Sequence, residues 1–138
     1  MTTVSIPVGA QPFPKTANVR PESGQAGEAL GVMQPIYLDS DTSKYMAADS
    51  DPTDAATSQV VGLTVSPSET DDYVWFVTTK GTVIDFGGTL TPGDQYYLDG
   101  STIAEYSDVP SLDRLVRLGY CNEGGGFVVD ITIQNEVK

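Results

Sequence analysis

The sequence predicts an all-β fold, a small β-barrel or sandwich that follows an extended N-terminal arm. From residue 27 onwards, short apolar or alternating runs are separated by clusters of Gly, Pro, Asp and Ser. Val, Ile, Thr, Tyr and Phe dominate these runs, and such residues are enriched in strands. No window of a dozen residues carries the apolar stripe of an amphipathic helix. These three observations together favour strands joined by tight turns.

The length and composition fit one folded domain. The chain has 138 residues, of which 39% are hydrophobic, and these values are typical of a single globular domain. No apolar run reaches the roughly eighteen residues that a membrane-spanning helix needs, so no membrane partner is expected.

Residues 1–26 differ from the rest of the chain in charge and in proline content. They carry Lys15 and Arg20 against Glu22, which gives about +1. The remaining residues hold the other five basic and eighteen acidic side chains, which gives about −13. Four of the nine prolines lie in this stretch and disfavour both regular helix and a central strand. Residues 1–26 are therefore treated apart from the body at 27–138.

Apolar side chains in this stretch alternate with polar ones over residues 3–8, as they do in an edge strand. We predict that residues 1–26 form an extended arm that becomes ordered on another protein chain; a frayed terminus is the alternative. The side chains expected to make the contact are Val4, Ile6, Val8, Phe13, Lys15 and Arg20.

Nine strands are predicted in the body. In chain order they span Ala29–Met33, Pro35–Leu38, Lys44–Ala47, Gln59–Val65, Tyr73–Thr79, Thr82–Asp85, Gln95–Leu98, Arg114–Tyr120 and Gly126–Ile133. Two short helical turns are expected at 51–56 and 108–112, because each begins with an Asp that can serve as N-cap and has a proline near its first turn.

The body contains an internal repeat, with halves at about 27–86 and 87–138. Residues 27–40 align with residues 87–100 without a gap, and Tyr-Leu-Asp at 37–39 falls on Tyr-Leu-Asp at 97–99. Further along, residues 60–63 match 115–118 and residues 73–77 match 127–131, after a deletion of about five residues in the second half. Because a four-strand unit cannot bury both of its faces, the two halves are expected to close around one core.

The apolar positions of both halves define a predicted core. It comprises Leu30, Ile36, Leu38, Val61, Leu63, Val74, Phe76, Val83, Leu90, Leu98, Leu115, Leu118, Phe127, Val129 and Ile131. In the most apolar strand, Trp75 and Phe76 point to opposite faces, so one of the two is expected to leave the core. Tyr73 and Trp75 are the candidates for a subunit interface, because exposed aromatic residues are enriched at interfaces.

The residue inventory argues against an enzyme and against a metal or cofactor site. The chain has no histidine and a single cysteine, Cys121, which excludes Ser-His-Asp and Cys-His nucleophilic sites as well as zinc sites built from His and Cys. Aspartates at 39–41, 49–51 and 71–72 fit no calcium-loop pattern and are read as turn residues. A net charge of −12 argues against binding nucleic acid.

Turn-and-strand motifs over residues 27–133 resemble a known family of viral proteins. They are Val-Val-Gly-Leu at 60–63, a strand that ends in Lys-Gly-Thr-Val at 80–83, and Leu-Thr-Pro-Gly-Asp-Gln-Tyr-Tyr-Leu-Asp-Gly at 90–100. The pattern is similar to that of the small capsid decoration (cement) proteins of tailed bacteriophages. Related hairpins also occur in phage tail and fibre domains.

The resemblance implies a structural virion protein with no catalytic residues. It implies binding of an extended arm and a β body to the major capsid protein on the outer capsid surface. It also implies a homotrimer at three-fold or quasi-three-fold positions that stabilises the shell. A domain of a tail, baseplate or fibre protein is the first alternative, and a small carbohydrate-binding module or enzyme on a β scaffold is the second.

Overall fold

A computed structural model describes Ile6, Phe13–Pro14 and residues 20–138, and confirms the all-β prediction. In chain order the strands are β1 (Phe13–Pro14), β2 (Glu22–Gln25), β3 (Pro35–Asp39), β4 (Lys44–Ala47), β5 (Gly62–Thr64), β6 (Tyr73–Val77), β7 (Val83–Asp85), β8 (Gln95–Asp99), β9 (Thr102–Glu105), β10 (Arg114–Cys121) and β11 (Phe127–Val137). Two 3₁₀ turns lie at Ala56–Ser58 and Tyr106–Asp108. No helix in this part of the chain is long and apolar enough to cross a membrane.

The strands form two sheets. One has the order β2-β6-β5-β3-β4 and the other has the order β1-β7-β11-β10-β8-β9. The five-stranded sheet curls, because the end of β2 meets β4: Ala26 forms a bridge with Tyr45, and the amide of Gly27 donates to the Tyr45 carbonyl at 2.8 Å. This sheet is therefore a half-barrel with an inner face of its own.

The internal repeat appears as a repeated topology. The order β2-β6-β5-β3-β4 in the first unit has its counterpart in β7-β11-β10-β8-β9 in the second, and β1 adds to the outer edge of β7. The matching hairpins occupy Pro35–Asp39 and Gln95–Asp99, at the offset of sixty that the sequence indicates. Each unit thus begins with a short strand that pairs with the last strand of the same unit.

The units begin one strand earlier than the predicted boundaries. β2 belongs to the first unit although it lies in the stretch assigned to the arm, and β7 belongs to the second although it precedes residue 87. The sequence of β2, Glu-Ser-Gly-Gln, has no apolar side chain to mark it as a strand. It forms because β6 supplies its hydrogen bonds and because Gly24 leaves room for the Tyr45 ring.

The pairing register also corrects the predicted alignment of the two units. Gly62 lies opposite Ile36 in the first unit, and Gly119 lies opposite Tyr96, the counterpart of Ile36, in the second. Residues 60–63 therefore correspond to residues 117–120 and not to 115–118. Phe76 lies opposite Thr64, two residues after Gly62, and Phe127 lies opposite Cys121, two residues after Gly119. Phe127 therefore corresponds to Phe76, and the predicted match of residues 73–77 with 127–131 is wrong.

These two glycines have the same role. A Cβ on Gly62 would come within 2.7 Å of the Val77 carbonyl oxygen and 3.1 Å of the Phe76 ring. A Cβ on Gly119 would clash with the Val128 carbonyl oxygen and lie 2.8 Å from the Phe127 ring. In both units the missing side chain lets the last strand and its phenylalanine approach closely.

One hydrophobic cluster lies inside the first unit and a larger one lies between the units. A small cluster inside the curled sheet contains Ala26, Leu30, Ile36, Val74 and Phe76, with the Tyr45 ring 4.6 Å from that of Phe76. The main cluster lies between the units and combines Leu63 and Val77 of the first with the second-unit residues Leu90, Leu98, Tyr96, Leu118 and Phe127. Val77 and Phe76 are neighbours on one strand, so the first unit packs its outer face against the inner face of the second.

Most of the predicted core is buried, and two positions correct the prediction. Leu38 is 47% exposed and Val61 is 37% exposed, whereas their second-unit counterparts Leu98 and Leu118 are 0% exposed. Leu98 and Leu118 belong to the cluster that the first unit covers, but Leu38 and Val61 belong to neither cluster. Val83 and Ile131 are partly buried. The remaining predicted residues are buried: Leu30, Ile36, Leu63, Val74, Phe76, Leu90, Leu98, Leu115, Leu118, Phe127 and Val129.

Other local differences have identifiable causes. The predicted strand Ala29–Met33 is an irregular segment in which Leu30 forms an isolated bridge with Ser68 and Met33 has φ of 50°. A positive φ is incompatible with a strand. The predicted helical turn at 51–56 is displaced to Ala56–Ser58, and its Asp51 carboxylate accepts a bond from the Thr53 amide at 2.9 Å.

Ser50 connects the two units. Its side chain is fully buried, and its hydroxyl donates to Asp113 at 2.6 Å and accepts from the Gly100 amide at 2.8 Å. Its own amide donates to the Gly100 carbonyl at 3.0 Å, and its carbonyl accepts from the Arg114 amide at 2.9 Å. All four hydrogen bonds go to residues of the second unit, so Ser50 fixes the position of one unit against the other.

We expect Ser50→Ala to lower the free energy of unfolding by about 1–3 kcal/mol, because it leaves the partly buried Gly100 amide without its hydroxyl acceptor. Ser107 lies at the corresponding place of the second unit but is exposed, so Ser107→Ala should change it by less than about 0.5 kcal/mol. Urea denaturation followed by fluorescence measures both. Equal effects would contradict the role assigned to Ser50.

Candidate interaction surfaces

An exposed aromatic pair marks the outer face of the first unit. Tyr73 is 70% exposed and Trp75 is 49% exposed, whereas Phe76, inside the curled sheet, is 2% exposed. Because successive side chains of β6 point to opposite faces, the prediction that one aromatic residue of this strand leaves the core is confirmed. The next residue on the Tyr73 and Trp75 face is Val77, which enters the main cluster. The exposed pair therefore continues the face that packs on the second unit.

Backbone hydrogen bonds on both sides of β6 fix this pair. On one side Trp75 lies opposite Ser23 and Tyr73 lies opposite Gln25. On the other side the Trp75 carbonyl accepts from the Val65 amide at 2.8 Å, and the Trp75 amide donates to the Ser66 hydroxyl at 3.1 Å. The indole is thus carried by a strand with neighbours on both edges, and such a side chain needs little ordering when it binds a partner.

A shallow depression lies next to Tyr73. Its walls come from the irregular segment after β2 and from the loop before β6, and its lining residues are Ala29, Leu30, Gly31, Pro67, Ser68, Glu69, Asp72 and Tyr73. The backbone of this region is held by Ala26, whose amide donates to the Asp72 carbonyl at 2.8 Å. An aromatic side chain, two carboxylates and an open cleft lie together here.

The predicted arm residues fall into two groups. Ile6 is partly buried against the main cluster, Phe13 pairs with Asp85 in β1, and Arg20 is exposed. The structure therefore places Ile6 and Phe13 on the chain's own body. The predicted contacts of Val4, Val8 and Lys15 lie outside the described residues.

The basic side chains of the body are used within the chain. Lys44 pairs with Asp71 at 2.6 Å, Arg117 pairs with Asp130 at 2.7 Å, and Lys80 lies 3.7 Å from Asp130. Arg114 donates to the Pro52 carbonyl at 3.0 Å, and the Lys138 ammonium donates to the Tyr106 and Val109 carbonyls at 2.7 Å. All five cations of residues 27–138 thus have intramolecular partners, while the acidic residues of the body outnumber them eighteen to five.

A tyrosine cluster on the second unit was not predicted from the sequence. The rings of Tyr97 and Tyr106 meet edge to face at 5.4 Å, and the Lys138 ammonium lies 4.6 Å from the centre of the Tyr106 ring. Tyr106 and Tyr120 are both exposed. Tyr120 follows Gly119 as Leu63 follows Gly62, so a correct alignment of the two units would have placed Tyr120 on the outer face of the second unit.

The carboxylates behave as turn and surface groups in the described part of the chain. The side chains of Asp39 and Asp49 each accept a bond from the backbone amide two residues further on, at 3.0 Å. Bonds from Thr53 lower the pKa of Asp51, and loss of hydration followed by repulsion from Asp113 and Asp108 raises the pKa of Asp99. Within residues 20–138 no three potential metal ligands come together.

Glu105 and Asp94 are neighbouring carboxylates on the second unit. Partial loss of hydration raises the pKa of Glu105, with a second contribution from the charge of Asp94. Both residues line an open depression with Tyr97 and Tyr106. Cys121 is buried, as expected for a small apolar side chain, and this burial raises the pKa of its thiol.

Comparison with known proteins gives no relative: no family model, no curated protein and no solved structure matches the chain.

Proposed function

We propose that this protein is a structural virion protein that binds the outer surface of a phage capsid and stabilises the shell as a trimer at three-fold or quasi-three-fold positions. The observation that carries the proposal is the exposed pair Tyr73 and Trp75 on a strand fixed at both edges. Exposed aromatic residues on a rigid sheet are typical of protein–protein interfaces. We assign this pair to the contact between subunits of the trimer.

The charge distribution supports a partner other than nucleic acid. The cations of the body are engaged inside the chain, so the uncompensated carboxylates dominate its surface. An acidic surface of this kind repels packaged DNA and keeps the free protein soluble. Residues 1–26 carry a basic excess, unlike the body as a whole, and we assign them to the major capsid protein as the second contact.

A binding role agrees better than catalysis with the arrangement of reactive groups. The thiol of Cys121 is buried, and the chain has no histidine to act as a general base near neutral pH. We propose no cofactor, no metal and no enzymatic activity.

A carbohydrate-binding module is the second candidate. It is favoured by the depression in which Tyr73 lies beside the carboxylates of Glu69 and Asp72. The two proposals make opposite demands on Tyr73. A glycan site needs Tyr73 to be accessible, whereas the trimer contact covers it. A glycan array and a particle-binding assay on the same preparation separate them.

Deleting residues 2–20 should abolish binding to capsids while the body stays folded. The deletion ends before β2, so both units keep all five of their strands. Circular dichroism should keep its β spectrum, and co-sedimentation with particles that lack the protein should be lost. Leu112→Ala, which changes an exposed side chain and keeps the arm, is the control. If the truncated protein co-sediments as strongly as the control, the arm does not bind the capsid.

A further inference from the structure

The chain's own Ile6 lies at a groove between the two units and helps to line it. Val32, Met33 and Gln34 of the first unit form one side, and Ser101, Thr102 and Ile103 of the second form the other. The Gln34 side-chain amide donates to the Ser101 carbonyl at 3.1 Å across the groove. The groove therefore exists only where the two units meet.

The floor of the groove is apolar. Met33 and Ile103 are both 2% exposed and belong to the main cluster, on which Ile6 packs as a partly buried side chain. Ile103 lies on β9, the edge strand of the six-stranded sheet. An apolar side chain that enters here removes hydrocarbon surface from water without disturbing the sheet.

Further along the chain, β1 makes a second contact with the same sheet. Phe13 and Pro14 pair with Asp85 and Ile84 at the opposite edge from β9. Charge favours both contacts, since residues 1–26 carry about +1 and the rest of the chain about −13. Attraction between exposed charges is screened by salt, so it adds to the apolar contact and does not replace it.

We propose that the groove between the units is a docking site for the chain's own N-terminal segment, which holds the arm on the body until the capsid displaces it. The second half of this inference rests on the proposed function. Ile6 cannot pack at the groove and make a capsid contact at the same time. Docking therefore reduces the fraction of molecules that are competent to bind, and the apparent affinity for the capsid falls by that fraction.

NMR relaxation of the free protein tests the docking itself. The Ile6 amide should have an order parameter near 0.85 and its methyl groups should show NOEs to Ile103, as for a rigid segment. Val32→Asp, which puts a charge in the groove, should lower the order parameter below about 0.6 and remove the NOEs. Val137→Asp, on β11 and outside the groove, is the matched control and should change neither.

Two further experiments make the result unambiguous. If Val32→Asp unfolds the body, Ile6→Asp changes only the docked side chain. The Met33 and Ile103 methyl signals should then move as residue 6 leaves the groove. A mixture of labelled and unlabelled chains should show the Ile6–Ile103 NOE within one chain. An order parameter already below 0.6 in the unchanged protein, or an NOE only between chains, would overturn intramolecular docking.

Capsid association tests the competition separately. Val32→Asp leaves every proposed arm anchor intact and should bind particles about tenfold faster than the unchanged protein, the equivalent of about 1.4 kcal/mol less docking. An unchanged rate in a variant whose Ile6 has become mobile would overturn the competition. Failure of every variant to bind particles would contradict the proposed function, while the docking would still stand on the NMR result.

Discussion

Leu98→Ala should lower the free energy of unfolding by about 2–5 kcal/mol, whereas Leu38→Ala should lower it by less than about 1 kcal/mol. The two leucines occupy the same place in the two units, in the same Tyr-Leu-Asp sequence. Leu98 is fully buried and Leu38 is 47% exposed. The substitution is chemically identical at both sites. The difference between the two losses of free energy of unfolding therefore measures how much the second unit is stabilised when the first unit covers it.

Chemical denaturation of both variants at one temperature gives this comparison. Similar destabilisation by the two substitutions would show that Leu38 is buried as well, either within the chain or against another copy. Repeating the measurement over a range of protein concentrations separates these two cases, because burial between copies makes the stability concentration-dependent.

Gly119→Ala should destabilise the protein by about 3 kcal/mol or prevent folding. A Cβ at this position would clash with the Val128 carbonyl oxygen and crowd the Phe127 ring. A carbonyl oxygen of a central strand cannot move without breaking its own ladder, so relief requires a shift of β11 against β10. Gly62→Ala should cost less, because the corresponding distance to the Val77 carbonyl oxygen is 2.7 Å.

Gly124→Ala is the control for this series. A Cβ there would meet only the Asn122 side chain at 3.5 Å, an ordinary contact, so the expected change is less than about 1 kcal/mol. Thermal unfolding by circular dichroism measures all three variants. If Gly119→Ala is as stable as Gly124→Ala, the close approach of β11 at this point is wrong.

Much of the fold follows from local sequence patterns. Both strands of the hairpin that begins at Pro35 were predicted, but of the hairpin that begins at Gln95 only the first strand was predicted, and β9 was missed. Their repetition at an offset of sixty correctly indicated two units of similar topology. A hairpin can be predicted from sequence because it is specified by residues that are close together in the chain.

The features that the sequence did not predict depend on contacts between distant residues. β2 forms only because β6 pairs with it, and nothing in Glu22–Gln25 indicates a strand. Residues 60–63 were aligned with residues 115–118 by their apolar side chains, but strand pairing aligns them with 117–120. The equivalent of Gly62 is Gly119, which no apolar pattern could identify. Leu38 and Leu98 have the same local sequence, so their different exposure reflects how the units pack and not what surrounds them in the chain.

For the candidate surfaces too, the features set by local sequence were predicted and those set by distant contacts were not. Alternation along β6 predicted that Trp75 and Phe76 face opposite sides, and that strand carries the exposed pair. The tyrosines of the second unit were missed, since Tyr106 lies in a 3₁₀ turn and Tyr120 next to the glycine at which β10 becomes irregular. The groove at which Ile6 lies is formed by body residues about seventy positions apart and has no local signature.

Electron microscopy of capsids incubated with the purified protein tests the proposed function most directly. Three-fold density should appear on the outer surface, with Tyr73 and Trp75 at the contacts between three copies and the N-terminal arm extended over neighbouring capsid subunits. Capsids incubated with the chain that lacks residues 2–20 should stay bare. Particles that carry no added density, or only isolated single copies, after incubation with the intact protein would contradict a trimeric capsid-decoration role.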